Sequence, residues 1–96
     1  MEIKTAVECL SALAQETRIK IFRLLVRTGR NGLPAGEVAE HLNLPGATLS
    51  FHLKELVNAG LILRTRRGRS LIYSPNFEYM QSLLDYLTEH CCGESD

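Results

Sequence analysis

Apolar positions in the first half of the chain recur at helical intervals. From Thr5 to Ala14, the residues Ala6, Cys9, Leu10 and Leu13 predict an amphipathic first helix, with Cys9 on or beside its apolar stripe. Gln15-Glu16-Thr17 interrupts the pattern. Ile19, Phe22 and Val26, with Ile21 and Leu25 alongside, then predict a second helix with a broad buried face that ends near Gly29. Arg30-Asn31-Gly32 reads as a loop, and Leu33 as a very short strand or an extended entry before Pro34 and Ala35. Gly36 to Leu42 gives a third helix with Val38, Ala39 and Leu42 inward. Asn43-Leu44-Pro45-Gly46 is a turn, and Pro45 suits the first turn of the next helix, where its missing N–H has no helical partner. That fourth helix carries Leu49, Leu53, Leu56 and Val57 as its inward stripe and leaves Ala47, Thr48, Ser50, Phe51 and Lys54 largely on other faces. Gly60 follows as a left-handed stop.

The pattern then changes period. Leu61-Ile62-Leu63 starts a strand, Arg67-Gly68-Arg69 makes a turn, and Leu71-Ile72-Tyr73 returns. Two such strands are not stable alone, so the hairpin must pack on the helices. Pro75 and Asn76 open a last helix from about Phe77 to Cys92, in which Phe77, Met80, Leu84, Leu87 and Cys91 form a heptad-like seam suited to another helix. The expectation is therefore a mainly α domain with one β-hairpin, spanning residues 1–96 as a single unit. Helix, turn, helix and wing in that order make a shape that fits the major groove while the hairpin touches flanking backbone.

Overall charge is formally zero, which by itself argues weakly against nucleic acid. Its distribution reverses that impression. Between Gly46 and Ser74 stand Lys54, Arg64, Arg66, Arg67 and Arg69 against Glu55 alone. From Pro75 onward, Glu78, Asp85, Glu89, Glu94 and Asp96 have no Lys or Arg beside them. A basic segment next to an acidic one suits a phosphate-binding face. No apolar run approaches the roughly 18 residues that span a membrane. MEIKTAVECLSAL does not pair a basic region with a long apolar stretch, so a cytoplasmic protein is expected. Three cysteines, two of them adjacent, do not make a disulfide framework; in a reducing compartment they are thiols open to metal or redox chemistry.

The strings LAQETRIKIFRLL, ATLSFHLKELVNAGLI and RRGRSLIY, in this order of elements, resemble the ArsR/SmtB family of bacterial metal-sensing repressors. The resemblance runs from about Leu10 to the last helix and is most specific at Thr48-Leu49-Ser50-Phe51-His52-Leu53-Lys54 with Ala59-Gly60-Leu61. It implies a winged helix-turn-helix homodimer joined through its first and last helices, bound to double-stranded operator DNA and released by a metal or metalloid. Many arsenic sensors of that family carry Cys-Val-Cys before the recognition helix; GEVAEHLNL here has no cysteine. The zinc pattern of the last helix is also incomplete, because Asp85 and His90 are present without an Asp-x-His pair. The ending LTEHCC instead resembles arsenic repressors with adjacent C-terminal cysteines, although their usual third, more distal cysteine does not follow Cys92 in this sequence.

Ala47, Thr48, Ser50, Phe51, His52 and Lys54 are the candidate DNA contacts of the recognition helix. Its first turn offers backbone N–H groups and the short side chains of Thr48 and Ser50 to bases or phosphates, and Lys54 suits a phosphate. His52 suits packing or a phosphate better than a metal. The plain alternative is an ordinary amphipathic helix. In the wing, Arg66, Arg67 and Arg69 can grip phosphate or enter a minor groove, or simply be solvated turn charges. Arg64 is open to a different partner, a carboxylate.

Cys91 and Cys92 are the candidate ligands for trivalent arsenic, as arsenite or an organoarsenical. Adjacent cysteines rarely bond to each other, yet two thiolates at a helix end can converge on one soft ion. One core thiol with an incidental neighbour is the competing reading. Cys9 is a possible third ligand, or a small hydrophobe on a helix face. Arsenite favours three thiolates, whereas an arsenical already carrying one carbon needs two. Rival functions are a sensor of zinc or another soft divalent metal using Cys91, Cys92, His90 and Glu89, a thiol-redox regulator, or a winged-helix interaction module. No Ser/His/Asp arrangement, phosphate loop or paired acidic site suggests an enzyme.

Overall fold

Five helices and a three-stranded antiparallel sheet account for the chain as far as His90, the residues that a computed structural model describes (Met1–His90). In chain order they are α1 (Ile3–Leu13), α2 (Glu16–Thr28), β1 (Leu33–Pro34), α3 (Ala35–Leu42), α4 (Gly46–Asn58), β2 (Ile62–Arg67), β3 (Ser70–Pro75) and α5 (Phe77–Thr88). The expected winged helix-turn-helix is present, and of the two readings of Leu33 the short strand holds. Leu33 and Pro34 pair with Tyr73 and Ile72, so β1 joins the hairpin and the sheet order is β1-β3-β2. No described helix is long and apolar enough to cross a membrane.

Local chemistry explains most boundaries. Gln15 caps α2, its Oε1 accepting from the Arg18 N–H at 2.8 Å. Glu16 in the first turn and Arg27 in the last complement that helix's dipole. Asn43 closes α3 in the left-handed region (φ 55°). Pro45 sits just before α4 as its cap residue rather than inside its first turn. At the other end of α4, the Gly60 N–H donates to Val57 O (2.9 Å) and the Leu61 N–H to Leu56 O (3.1 Å), a closed turn that needs Gly60 at φ 84°. The chain then drops directly into the core at Leu61 and Ile62.

α2 lies at the centre, touching α1, α3, α4 and β3. Ile21 and Leu25 of α2 meet Leu49, Leu53 and Leu56 of α4 in one apolar cluster with Val38, Leu61, Ile62 and Leu83. Burying each such aliphatic side chain contributes roughly 1.5–3 kcal/mol. Helix propensities differ by at most about 1 kcal/mol per ordinary residue. Packing, not propensity, therefore sets which face of α4 turns outward.

Two expectations about burial fail, on α1 and α2. On α1 the buried residues are Ala6, Cys9 and Ala12, while Leu10 is 42% exposed. On α2, Leu24 is buried whereas Ile19 and Val26 face out. On α5, Leu83 reaches the core, while the seam residues Leu84 and Leu87 are 47% and 50% exposed in the single chain, on a face suited to another helix. Small residues let α1 approach α4 and α5 closely, so its larger apolar residues Ile3, Val7 and Leu10 are left on the outer side.

The last helix is also shorter than expected. It stops at Thr88; Glu89 is extended (φ −59°, ψ 142°) and His90 is left-handed (φ 61°). No basic residue stands in its last turn, and Asp85 and Glu89 place negative charge at the negative end of the helix dipole. Cys91 and Cys92 lie outside the described residues, so the Cys91 end of the seam does too.

Candidate nucleic-acid interface

α4 is presented by the turn before it. The left-handed Asn43 and a hydrogen bond from the Leu44 N–H to Ala39 O (3.0 Å) fold the chain back so that α4 starts at Gly46 with its first turn in solvent. Leu49, His52, Leu53 and Leu56 face inward. Ala47, Thr48, Ser50, Phe51 and Lys54 are all exposed, as the spacing predicts, and Phe51 is 57% so. Unpaired N–H groups at the start of a helix and its positive dipole end favour an approaching anion.

The wing carries the second set of candidates. Arg66 and Arg67 end β2, and Arg69 lies in the two-residue connection Gly68-Arg69, whose positive φ (61°) falls on the glycine. All three arginines are exposed. Strand alternation separates them: Ile62, Arg64 and Arg66 share one face of β2, and Leu63, Thr65 and Arg67 share the other. Arg64 stands opposite Tyr73 in the β2–β3 register. Arg64 stands outside the expected contact set and was open to a carboxylate partner. Its face of the strand was nonetheless legible from the alternation that buries Ile62.

Of the two roles open to His52, packing and a phosphate contact, its surroundings favour packing, which takes it out of the candidate contact surface. It is only 9% exposed, with its Nδ1 3.1 Å from Nη1 of Arg18 and its ring edge-on to Phe51 (centroids 5.4 Å apart). A guanidinium only donates, so Nδ1 must accept and the ring is neutral with its proton on Nε2. Burial first and the Arg18 charge second lower the His52 pKa below its ordinary value, with Glu55 opposing. Arg18 also donates from Nε to Ala12 O (2.6 Å), tying the end of α1 to the middle of α4. His52 is thus a packing residue turned away from the surface that Phe51 occupies.

Cys9, open to a ligand role or to that of a small hydrophobe, also takes a packed position. It is fully buried, and its Sγ lies 3.6 Å from the Ala59 carbonyl, to which it donates. Burial raises its pKa, Glu8 adds to the rise, and a hydrogen bond with Tyr79 partly offsets it. A thiol held protonated in the core is poorly placed to be a third thiolate. Among the described residues, no group of three or more His, Cys, Asp and Glu side chains is arranged to hold a metal.

The same contact belongs to a wider junction. Three successive carbonyls just beyond α4 are each held by another helix or its cap. Ala59 O accepts from Cys9 of α1. Gly60 O accepts from Asn76 Nδ2 (3.1 Å), and Leu61 O from the Asn76 N–H (2.9 Å). Asn76 in turn caps α5, its Oδ1 accepting from the Tyr79 N–H (3.2 Å). A Cβ on Gly60 would come within 2.8 Å of the Tyr79 ring.

An outward helix face beside an arginine-bearing hairpin defines a winged helix-turn-helix DNA-binding protein. A family model described as "Helix-turn-helix domain" matches residues 13–65, more than half of the chain. The HTH-type transcriptional regulator NmtR of Mycobacterium tuberculosis is 38% identical over 85 residues, covering 84% of this chain and 68% of that protein. An arsenical resistance operon repressor of Staphylococcus xylosus is 30% identical over 90 residues, covering 94% and 80%. Among solved structures, an ArsR-like transcriptional regulator from Rhodococcus sp. RHA1 superposes with a TM-score of 0.80 at 25% identity, covering 88% of this chain and 77% of that one. The chain belongs to the helix-turn-helix transcriptional regulators of the ArsR/SmtB type, a family of DNA-binding proteins and not of enzymes.

Proposed function

We propose that this protein is a dimeric repressor that binds operator DNA and leaves it when a trivalent arsenical binds the thiolates of Cys91 and Cys92. Each copy would lay the first turn of α4 in a major groove, with Ala47, Thr48, Ser50, Phe51 and Lys54 toward the DNA and Arg66, Arg67 and Arg69 on flanking backbone. Two copies pair through α1 and α5, whose outer apolar residues Ile3, Val7, Leu10, Leu84 and Leu87 are exposed in the single chain. Contiguous apolar faces of that kind favour association.

The observation that carries the reading is the junction at Asn76. The helix that leads toward Cys91 and Cys92 is capped by the same residue that holds two carbonyls at the end of α4. Rearranging α5 at a dimer interface therefore bears on the angle of the recognition helix. A ligand shifts such an equilibrium only by its preference for the DNA-incompetent arrangement. The arsenical repressor among the relatives and the paired thiols favour arsenic over other inducers. The buried, protonated Cys9 favours a two-thiolate site, and with it an organoarsenical over arsenite, which takes three.

The test changes Cys91 and Cys92 to Ser together and measures operator release by fluorescence anisotropy. DNA binding is expected to stay intact while release by arsenite and by phenylarsenous acid disappears. Release that persists in the double variant would sink the assignment. Release of the wild-type protein by zinc or cadmium, but by no arsenical, would replace it with a divalent-metal sensor.

A further inference from the structure

Between α4 and the hairpin runs a groove of about 410 Å³, lined by Ser50, Lys54, Val57 and Asn58 from the helix, Arg64 from β2 and Tyr73 from β3. The four helical residues lie on one side of α4, and Arg64 and Tyr73 are cross-strand partners, so two rigid elements build its walls. No carboxylate lines it. Glu55, the acidic residue of α4, lies on the opposite side, in a separate cavity with Glu8 and Arg18. Neither Lys54 nor Arg64 forms an ion pair with any described residue. An ammonium, a guanidinium and a hydroxyl thus converge on a space with no internal counter-charge.

Such a donor set matches a group that accepts hydrogen bonds and carries negative charge. The groove sits between the outward face of α4 and the arm of the wing that ends in Arg66. A DNA strand that meets both must pass over it. We propose that this groove seats one backbone phosphodiester, held by Arg64 and Lys54 with Ser50 donating its hydroxyl. The inference rests on the DNA-binding reading and adds to it a residue, Arg64, and a task. A phosphate clamped between helix and wing sets the register of the recognition helix on the duplex and carries no sequence information itself.

Salt dependence of binding to a random-sequence duplex tests this with the full chain. Each phosphate neutralised contributes about 0.9 to the slope of log affinity against log salt. Both side chains are exposed, and unchanged circular dichroism of Lys54→Ala and Arg64→Ala will show that the fold survives. The Lys54→Ala/Arg64→Ala double variant is expected to flatten the slope by about 0.9, the value for one shared phosphate. Arg64→Lys, which keeps the charge, is expected to retain the wild-type slope. A double variant flattened by about 1.8 would mean two separate phosphates, and an unchanged slope none; either overturns the proposal. A wild-type protein with no salt-dependent binding to any duplex would remove the DNA reading beneath it, a different and recognisable failure.

Discussion

The two ends of α4 are built on opposite principles. At its start, from Gly46 to Phe51, only Leu49 is buried, and no side-chain hydrogen bond caps the helix. Just past its other end, three consecutive carbonyls are taken up by Cys9 of α1 and by Asn76 ahead of α5. Groups left unsatisfied within the molecule are available to a ligand, whereas groups satisfied by another helix report that helix's position. The contrast suits a recognition helix read at one end and steered at the other.

The strongest way to break that contrast is Gly60→Ala. The methyl group would meet Tyr79, and φ at this position is 84°. A loss of more than about 1 kcal/mol is expected from the backbone conformation alone. Urea denaturation measures it, and a midpoint unchanged from wild type would show that the junction yields without cost.

Asn76→Ala is the sharper variant, because it leaves the backbone free of strain. It removes the α5 cap and the Gly60 contact together, for an expected loss of about 1 kcal/mol. If the junction steers α4, operator affinity should fall further than that of an equally destabilised core variant. Equal falls would reduce Asn76 to a helix cap.

The smallest effect concerns His52, midway along the helix. Its pKa is lowered in the folded state, so the unfolded chain binds the proton more readily. Stability is then full above the unfolded value of 6.5 and is lost as pH falls through the lower folded value. His52→Asn keeps an acceptor near the Nδ1 position for Arg18 but cannot titrate. It should flatten the pH dependence of the melting temperature in that window; a variant as acid-sensitive as wild type would place the titration elsewhere.

Much of the reading half was legible in the sequence because its signals are local. Pro45 before the helix, the Leu49-Leu53-Leu56 spacing and Gly60 after it mark α4 without knowledge of neighbours. Gly68 between two β-rich runs does the same for the hairpin. The failures concern residues whose environment lies far along the chain. Leu10, Ile19 and Val26 are as apolar as core residues, yet hydrophobicity does not say whether a side chain meets its own core or another surface. For His52 the local pattern leaves packing and a phosphate contact both open, and Arg18, 34 positions earlier, decides for packing. Arg64, open in sequence to a carboxylate partner, is set against Tyr73 and the groove by the strand register.

By itself the sequence determined the order of elements, the apolar stripe and bounds of the recognition helix, and the concentration of basic charge behind it. Those follow from periodicity and turn chemistry, which act over a few residues. Only the tertiary structure decided that Cys9 is a buried thiol, that Asn76 joins α5 to the end of α4, and that Lys54 and Arg64 share a groove. These depend on contacts between segments about 10 to 50 residues apart, and long-range packing chooses among faces that look equivalent along the chain.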